Sequence, residues 1–260
     1  MATRSTFRTF RIFLLLLVLL FVALSSWLAK ARSTAWDRPL WVVVYPVNGD
    51  GSDASARYIS DLRAEAFVPI EEFMAREAQR HGLKLANPVT MKLAPPVTKF
   101  PPKPPPNGDT LGVMTWSLKM RYWAWKNDTF KGPSADIQMF VVYHDPKQYD
   151  RLEHSFGLQK GLLGVVNAFA DRRLEGQNNV VMAHELLHTV GATDKYDMRT
   201  NLPIHPAGFA EPDKQPLYPQ SKAEIMGGRI PLSQTNAEIP GNPGQTLIGA
   251  VTAAEINWLK

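Results

Sequence analysis

The chain has 260 residues, no cysteine and a formal net charge of +5. That length supports one sizeable core rather than two full domains, and the lack of cysteine excludes disulfides, thiolate metal ligands and a cysteine-switch pro-segment. The basic balance does not point to nucleic acid: residues 1–38 carry six basic groups against one acid, the other 222 residues carry 23 of each sign, and no basic patch is left to follow a phosphate backbone.

The first element is the apolar run Ile12 to Ala29, headed by Arg4, Arg8 and Arg11. Ile12 to Leu24 alone suits the apolar stretch of a signal peptide, whereas the full run is just long enough to span a bilayer. Ala29-Lys30-Ala31 has the small-x-small form of a cleavage site, but Trp27, Lys30 and Arg32 make it a poor one. Residues 1–35 are therefore expected to be an uncleaved single-pass anchor, with secretion after cleavage as the alternative. Either reading puts the body, residues 36–260, outside the cytoplasm.

Within the body, Trp41 to Val47 reads as a strand that ends in the turn-rich stretch Asn48 to Ser55. Asn48-Gly49-Asp50-Gly51-Ser52-Asp53 has the look of a calcium loop, but Asp53 and Ile59 stand where an EF-hand needs Gly and Glu, so it is read as an ordinary turn. Ala56 to His81 has helical spacing with a kink or break at Pro69 and a stop at Gly82. Val89 to Leu93 is a second strand. The Pro-rich segment 95–106 holds seven prolines and is read as an extended spacer. Asp109 can cap a helix running to about Lys126, whose stripe Trp116, Met120 and Trp123 is expected to face the core. Ile137 to Tyr143 and Leu162 to Ala170 read as strands, residues 192–250 as mostly loop, and Thr252 to Leu259 as a short closing helix. His144 and His154 lack metal spacing and are read as ordinary histidines.

The chemistry concentrates in His184-Glu185-Leu186-Leu187-His188-Thr189-Val190-Gly191-Ala192-Thr193-Asp194. On a helix, residues four apart stand one above the other, so His184 and His188 can present two imidazole nitrogens to one metal ion. Glu185 projects beside them, placed to act as a general base on water rather than as a ligand. Gly191 tolerates the left-handed backbone that ends a helix, which lets the chain turn and bring Asp194 back. Two imidazoles and one carboxylate would leave a fourth position open, the arrangement of a catalytic zinc.

With Met226 in Glu224-Ile225-Met226-Gly227-Gly228, this pattern resembles the metzincin clan of zinc metallopeptidases, HExxHxxGxxH or HExxHxxGxxD followed by a methionine-containing turn beneath the metal. Asp in the third place is similar to the snapalysin-like members, and Asp194-Lys195-Tyr196-Asp197 to immune-inhibitor-type enzymes. The resemblance implies an α+β domain with a mixed twisted sheet, a long zinc-binding helix and a loop-rich C-terminal part. It implies Zn2+ on His184, His188 and Asp194, Glu185 as the catalytic base, and a protein or peptide substrate. The second likeness leaves Glu211, Glu224 and His205 as alternatives for the third ligand. It also implies that the strand before the zinc helix forms the cleft edge, with Gly161, Gly164 and Asn167 leaving room for an extended substrate. The tyrosine that some metzincins carry two residues after the turn methionine is replaced here by Gly228, so any phenol that stabilises the oxyanion must come from elsewhere, with Tyr196 and Tyr218 the nearest candidates in sequence. The rival reading is a non-catalytic zinc-containing envelope protein that holds a peptide or protein partner in a similar cleft.

Overall fold

The computed structural model describes residues 7–17, 19, 20, 24, 34–105, 109–158 and 162–259. Residues 7–17 are helical; much of the rest of the apolar run, together with Arg4, Lys30 and Arg32, lies outside the described residues, as do Pro106 and Gly161. Among the described residues no helix is long and apolar enough to cross a membrane.

The body is an α+β fold built on a mixed five-stranded sheet. Its strands are β1 (Leu40–Asn48), β2 (Val89–Leu93), β3 (Ile137–His144), β4 (Phe156–Leu158) and β5 (Leu163–Phe169). They lie in the order β2-β1-β3-β5-β4, with β4 alone antiparallel. β1 and β3 sit in the middle of the sheet and are covered on both faces, which explains why both read as continuous apolar runs rather than alternating ones. Val42 and Val44 point into one core and Val43, Tyr45 and Val47 into the other.

One face carries the helices that matter for the site. The expected long helix is two: α1 (Asp53–Asp61), capped by the Ser52 side chain, and α2 (Val68–Arg80). The break falls at Leu62-Arg63, ahead of Pro69, and a 3-10 turn at Ala64–Phe67 bridges it. Pro69 sits in the first turn of α2, where a missing N–H costs nothing, so it marks a helix start rather than a kink. The opposite face is covered by α3 (Thr110–Lys126), capped by Asp109 as expected. Trp116 and Met120 of the expected inward stripe are buried, and Trp123 packs edge-on against Phe140 with ring centroids 4.7 Å apart. The Pro-rich segment runs in extended form along the sheet, with Val97 bridged to Val47 and the Pro102 carbonyl accepting from the Trp116 indole at 2.8 Å.

α4 (Glu175–Val190) packs on the same face as α2 and is the helix that bears the histidines. Gly191, at φ 117°, ends it, and the Ala192 N–H closes back on the Leu187 carbonyl at 3.0 Å. The rest is loop punctuated by two-residue strands, β6 (Ala223–Glu224), β7 (Ile230–Pro231), β8 (Ala237–Glu238) and β9 (Thr246–Leu247), and it ends in α5 (Ala250–Glu255).

The sheet edge differs from the expectation. β5 lies one strand inward, and the edge belongs to β4, which is too short to stand out as a pattern. Gly164 does not open space for a substrate: a Cβ there would collide with the Met139 side chain. The glycine that matters is Gly157 in β4, where a Cβ would collide with the Glu185 carbonyl and lie 2.7 Å from the His188 Cβ. Its absence lets the edge strand rest directly on α4.

Glu77 ties this frame together from α2. Its buried carboxylate accepts from the Ile248 N–H at 3.0 Å and from Arg80 Nε at 2.8 Å, joining α2 to the segment that leads into α5. Glu77→Ala leaves the buried Ile248 donor without a partner, so equilibrium unfolding should show a loss of about 2–3 kcal/mol.

Candidate metal centre

Both histidine side chains of α4 are fixed through their Nδ1 atoms. His184 Nδ1 is 2.9 Å from the Ile225 carbonyl and His188 Nδ1 is 2.8 Å from the Ala192 carbonyl. A carbonyl only accepts, so each Nδ1 carries the hydrogen and each neutral Nε2 is left as a bare lone pair. These two Nε2 atoms lie 3.1 Å apart, and Asp194 Oδ1 lies 3.1 Å from each. In that tautomer three acceptor atoms form a small triangle that only a positive charge, a proton or a metal ion, can hold together. A tetrahedral ion with bonds of about 2.0–2.1 Å requires donor atoms about 3.3 Å apart, so the triangle is one face of such a site. Among the described residues His184, His188 and Asp194 form a group that can hold a metal ion.

The electrostatics say the same. Burial opposes a charge on His184, yet the hydrogen bond to Asp194 and the nearby Glu185 outweigh it and hold the imidazole above its usual range. Burial likewise pushes Asp194 up, but the two histidines outweigh it and hold the carboxyl well below the ordinary carboxylate value. The cluster attracts positive charge, whether it arrives as protons or as a cation. Glu185 is different. Buried at 5% exposure, it has its pKa raised by burial, with the two histidines acting against that rise. Its Oε2 has no hydrogen-bond partner. A buried carboxylate oxygen with no partner is costly, and here it sits on the wall of a cleft of about 380 Å³ that also exposes His184.

Asp194 is carried by a braced loop. The Thr193 N–H and hydroxyl both donate to Glu255, at 3.0 and 2.6 Å, and Lys195 Nζ reaches the same carboxylate at 2.7 Å. The Lys195 N–H donates to the Met226 carbonyl at 2.9 Å. Met226 is fully buried in the turn Ile225–Gly227, whose Ile225 carbonyl orients His184. The turn methionine therefore supports the site through backbone bonds on both sides of it.

The three alternatives for the third ligand are engaged elsewhere. Glu224 is fully buried and accepts from the Gly227 N–H at 2.8 Å, the Gly249 N–H at 3.0 Å and the Thr252 hydroxyl at 2.7 Å. Glu211 accepts from the Ser221 N–H, and His205 Nε2 lies 3.0 Å from the Pro212 carbonyl. Of the two tyrosines, Tyr218 packs edge-on against Phe209 and does not line the cleft. Tyr196 does line it: its ring centroid is 6.2 Å from that of His184, and burial, with the nearby Asp194 carboxylate adding to it, pushes its pKa up to about 12. A Cβ on Gly228 would lie 3.9 Å from the Tyr196 ring, so this phenol occupies the side of the site that Gly228 leaves bare.

His154, read from the sequence as unremarkable, lines the same cleft, and its carbonyl accepts from Asn167 at 3.2 Å. Glu255 was not legible as a site residue at all, because nothing in its own segment indicates that it meets Thr193 and Lys195. The turn at Asn48 to Asp53 is an ordinary one: Asn48 and Asp50 accept from Gly51 and Ser52 N–H groups. No family model matches the chain, and no curated protein matches it in sequence.

With Zn2+ as the probe, Asp194→Ala should weaken binding by more than a hundredfold in calorimetric titration, while Glu211→Ala leaves it near the wild-type value. Glu255→Gln, which loosens the loop without touching the donors, should cost on the order of tenfold, the usual effect of losing an orienting partner. Wild-type affinity should rise with pH through the raised His184 value, because that proton must leave before the nitrogen can bind metal.

Proposed function

We propose that this chain is a zinc-dependent peptide hydrolase of the metzincin-like type, acting outside the cytoplasm on the end of a membrane-anchoring N-terminal segment. The observation that carries the proposal is the pairing of two adjacent features: a triangle of bare acceptor atoms, whose His184 lines the cleft, and, one residue on in the same helix and lining the same cleft, a buried glutamate oxygen with no partner. A purely metal-holding shell needs the first and has no need of the second.

His184, His188 and Asp194 would hold the zinc, which when bound would supply Lewis acidity and make water a usable nucleophile near neutral pH. Glu185 takes the proton from the attacking water. Its raised pKa suits this, since a stronger base accepts the proton more readily, and the same carboxyl then delivers it to the leaving amine. Tyr196, which lines the cleft beside His184, would donate its hydroxyl to the oxygen that gains negative charge. Its high pKa keeps it a phenol, and thus a donor, throughout the working pH range.

The cleft shape favours an extended chain as substrate. β4 is last in sheet order, so its outer edge can offer backbone groups to a strand laid along it, and Gly157 sets that edge directly against the carbonyl of Glu185. His154 and Arg229 border the same space and would meet the substrate's side chains.

Glu185→Gln should abolish peptide hydrolysis while zinc content stays at the wild-type level, because the amide keeps the side chain's size but cannot accept a proton. The expected loss is on the order of a hundred- to ten-thousand-fold in kcat. A Gln variant that retains most of the wild-type turnover on the same peptide would remove Glu185 from the mechanism.

A further inference from the structure

α3 is apolar on two sides. Trp116, Met120 and Ala124 face the sheet, while Leu111, Met114, Leu118, Tyr122 and Trp125 form a second stripe that faces solvent. The steps along it are three, four, four and three residues, which keeps one line for the full length of the helix. The exposure is large, 73% for Leu111 and 74% for Trp125 at the two ends. A helix apolar on both sides is normally covered on both, so this face requires an occupant.

Charge identifies it. The helix carries Lys119, Arg121 and Lys126 and no acidic residue. The aromatic pair Tyr122 and Trp125, with ring centroids 5.9 Å apart, sits at the C-terminal end, and Lys126 Nζ lies 5.9 Å from the Tyr122 centroid. Apolar side chains flanked by aromatics and lysines are the composition that settles at a bilayer interface, with rings at headgroup depth and ammonium groups on lipid phosphates. A second copy of the chain fits poorly, because a symmetric contact would set the exposed Lys119 and Lys126 of one copy against those of the other. The N-terminal apolar run fits poorly too, since it is apolar all round and would bury the stripe only by exposing its own outer sides.

We infer that the outer face of α3 docks on the surface of a bilayer containing anionic phospholipid, so that the body lies against the membrane to which its N-terminus is tied. The inference extends the membrane-tethered part of the proposed function and is independent of the metal. Its functional consequence is orientation: α3 and α4 cover opposite faces of the sheet, so a docked α3 holds the cleft on the side of the body away from the lipid. Substrates would then be polypeptides presented at a fixed height above the surface.

The chain contains no cysteine, so a single nitroxide can be placed at will. The test uses the full chain in vesicles of phosphatidylcholine containing one-third phosphatidylglycerol, with the label on Leu118→Cys in one sample and on Gln234→Cys in the other. Gln234 is exposed in the turn between β7 and β8, outside α3. Docking predicts that the label at 118 is relaxed by oxygen and shielded severalfold from an aqueous nickel chelate relative to the label at 234. Leu111→Cys repeats the measurement at the other end of the stripe, and unchanged thermal melting shows that each variant is folded. Protein that floats with the vesicles but gives equal nickel access at 118 and 234 overturns docking and leaves the anchor intact. A label at 118 shielded from both relaxants shows a protein occupant, which also overturns it. Protein that fails to float at all contradicts docking and anchor together, while zinc binding and hydrolysis stay untouched by any of these outcomes.

Discussion

Two imidazole nitrogens and a carboxylate oxygen are held about one bond-triangle apart with their lone pairs toward one another, and the design of this molecule follows from that constraint. Without a positive charge between them the three atoms repel, so the fold must hold them in place by other means. It does so through the far side of each group: the two Nδ1 hydrogens are fixed by backbone carbonyls, and the loop bearing Asp194 is clamped from both ends. Structures that pre-position bare acceptors in this way spend stability on them, which is expected where a cation completes the site.

The supports are spread through the chain. α4 supplies two donors because its histidines are one turn apart, and β4 can rest on its backbone only because residue 157 is glycine. The Ile225–Gly227 turn reaches His184 from below, and Glu224 ties that turn to Gly249 and Thr252 at the start of α5. α5 in turn delivers Glu255 to Thr193 and Lys195. Glu77 anchors the approach to α5 onto α2. The loop-rich C-terminal part is thus a set of braces between the last helix and the metal ligands, in which Glu224 and Glu255 from within it and Glu77 from α2 each hold hydrogen bonds across segments.

What could be read from the sequence was what depends on near neighbours. Helix spacing gave His184 and His188, the glycine stop gave the turn to Asp194, and continuous apolar runs gave β1 and β3. What escaped depends on distant partners. Glu255 has no local mark of its role, and β4 has only three residues to show a pattern. Pro69 reads from the sequence as a kink or break within one helix, whereas it lies in the first turn of a second one, after a break at Leu62-Arg63. In α3 the stripe Trp116, Met120 and Trp123 was legible as the inward one, but the exposed line Leu111, Met114, Leu118, Tyr122 and Trp125 was not, because its exposure depends on what the rest of the fold leaves uncovered.

If the acceptor triangle is a metal site, the decisive property is the coordination shell itself. Zinc K-edge X-ray absorption on the chain loaded with one equivalent of Zn2+ reads it directly. The account predicts a shell with two imidazole nitrogens and oxygen donors at about 2.0–2.1 Å, reduced to oxygen-dominated scattering when both histidines are replaced by alanine. A shell without paired imidazoles, or the same spectrum from the double-alanine variant, would contradict it.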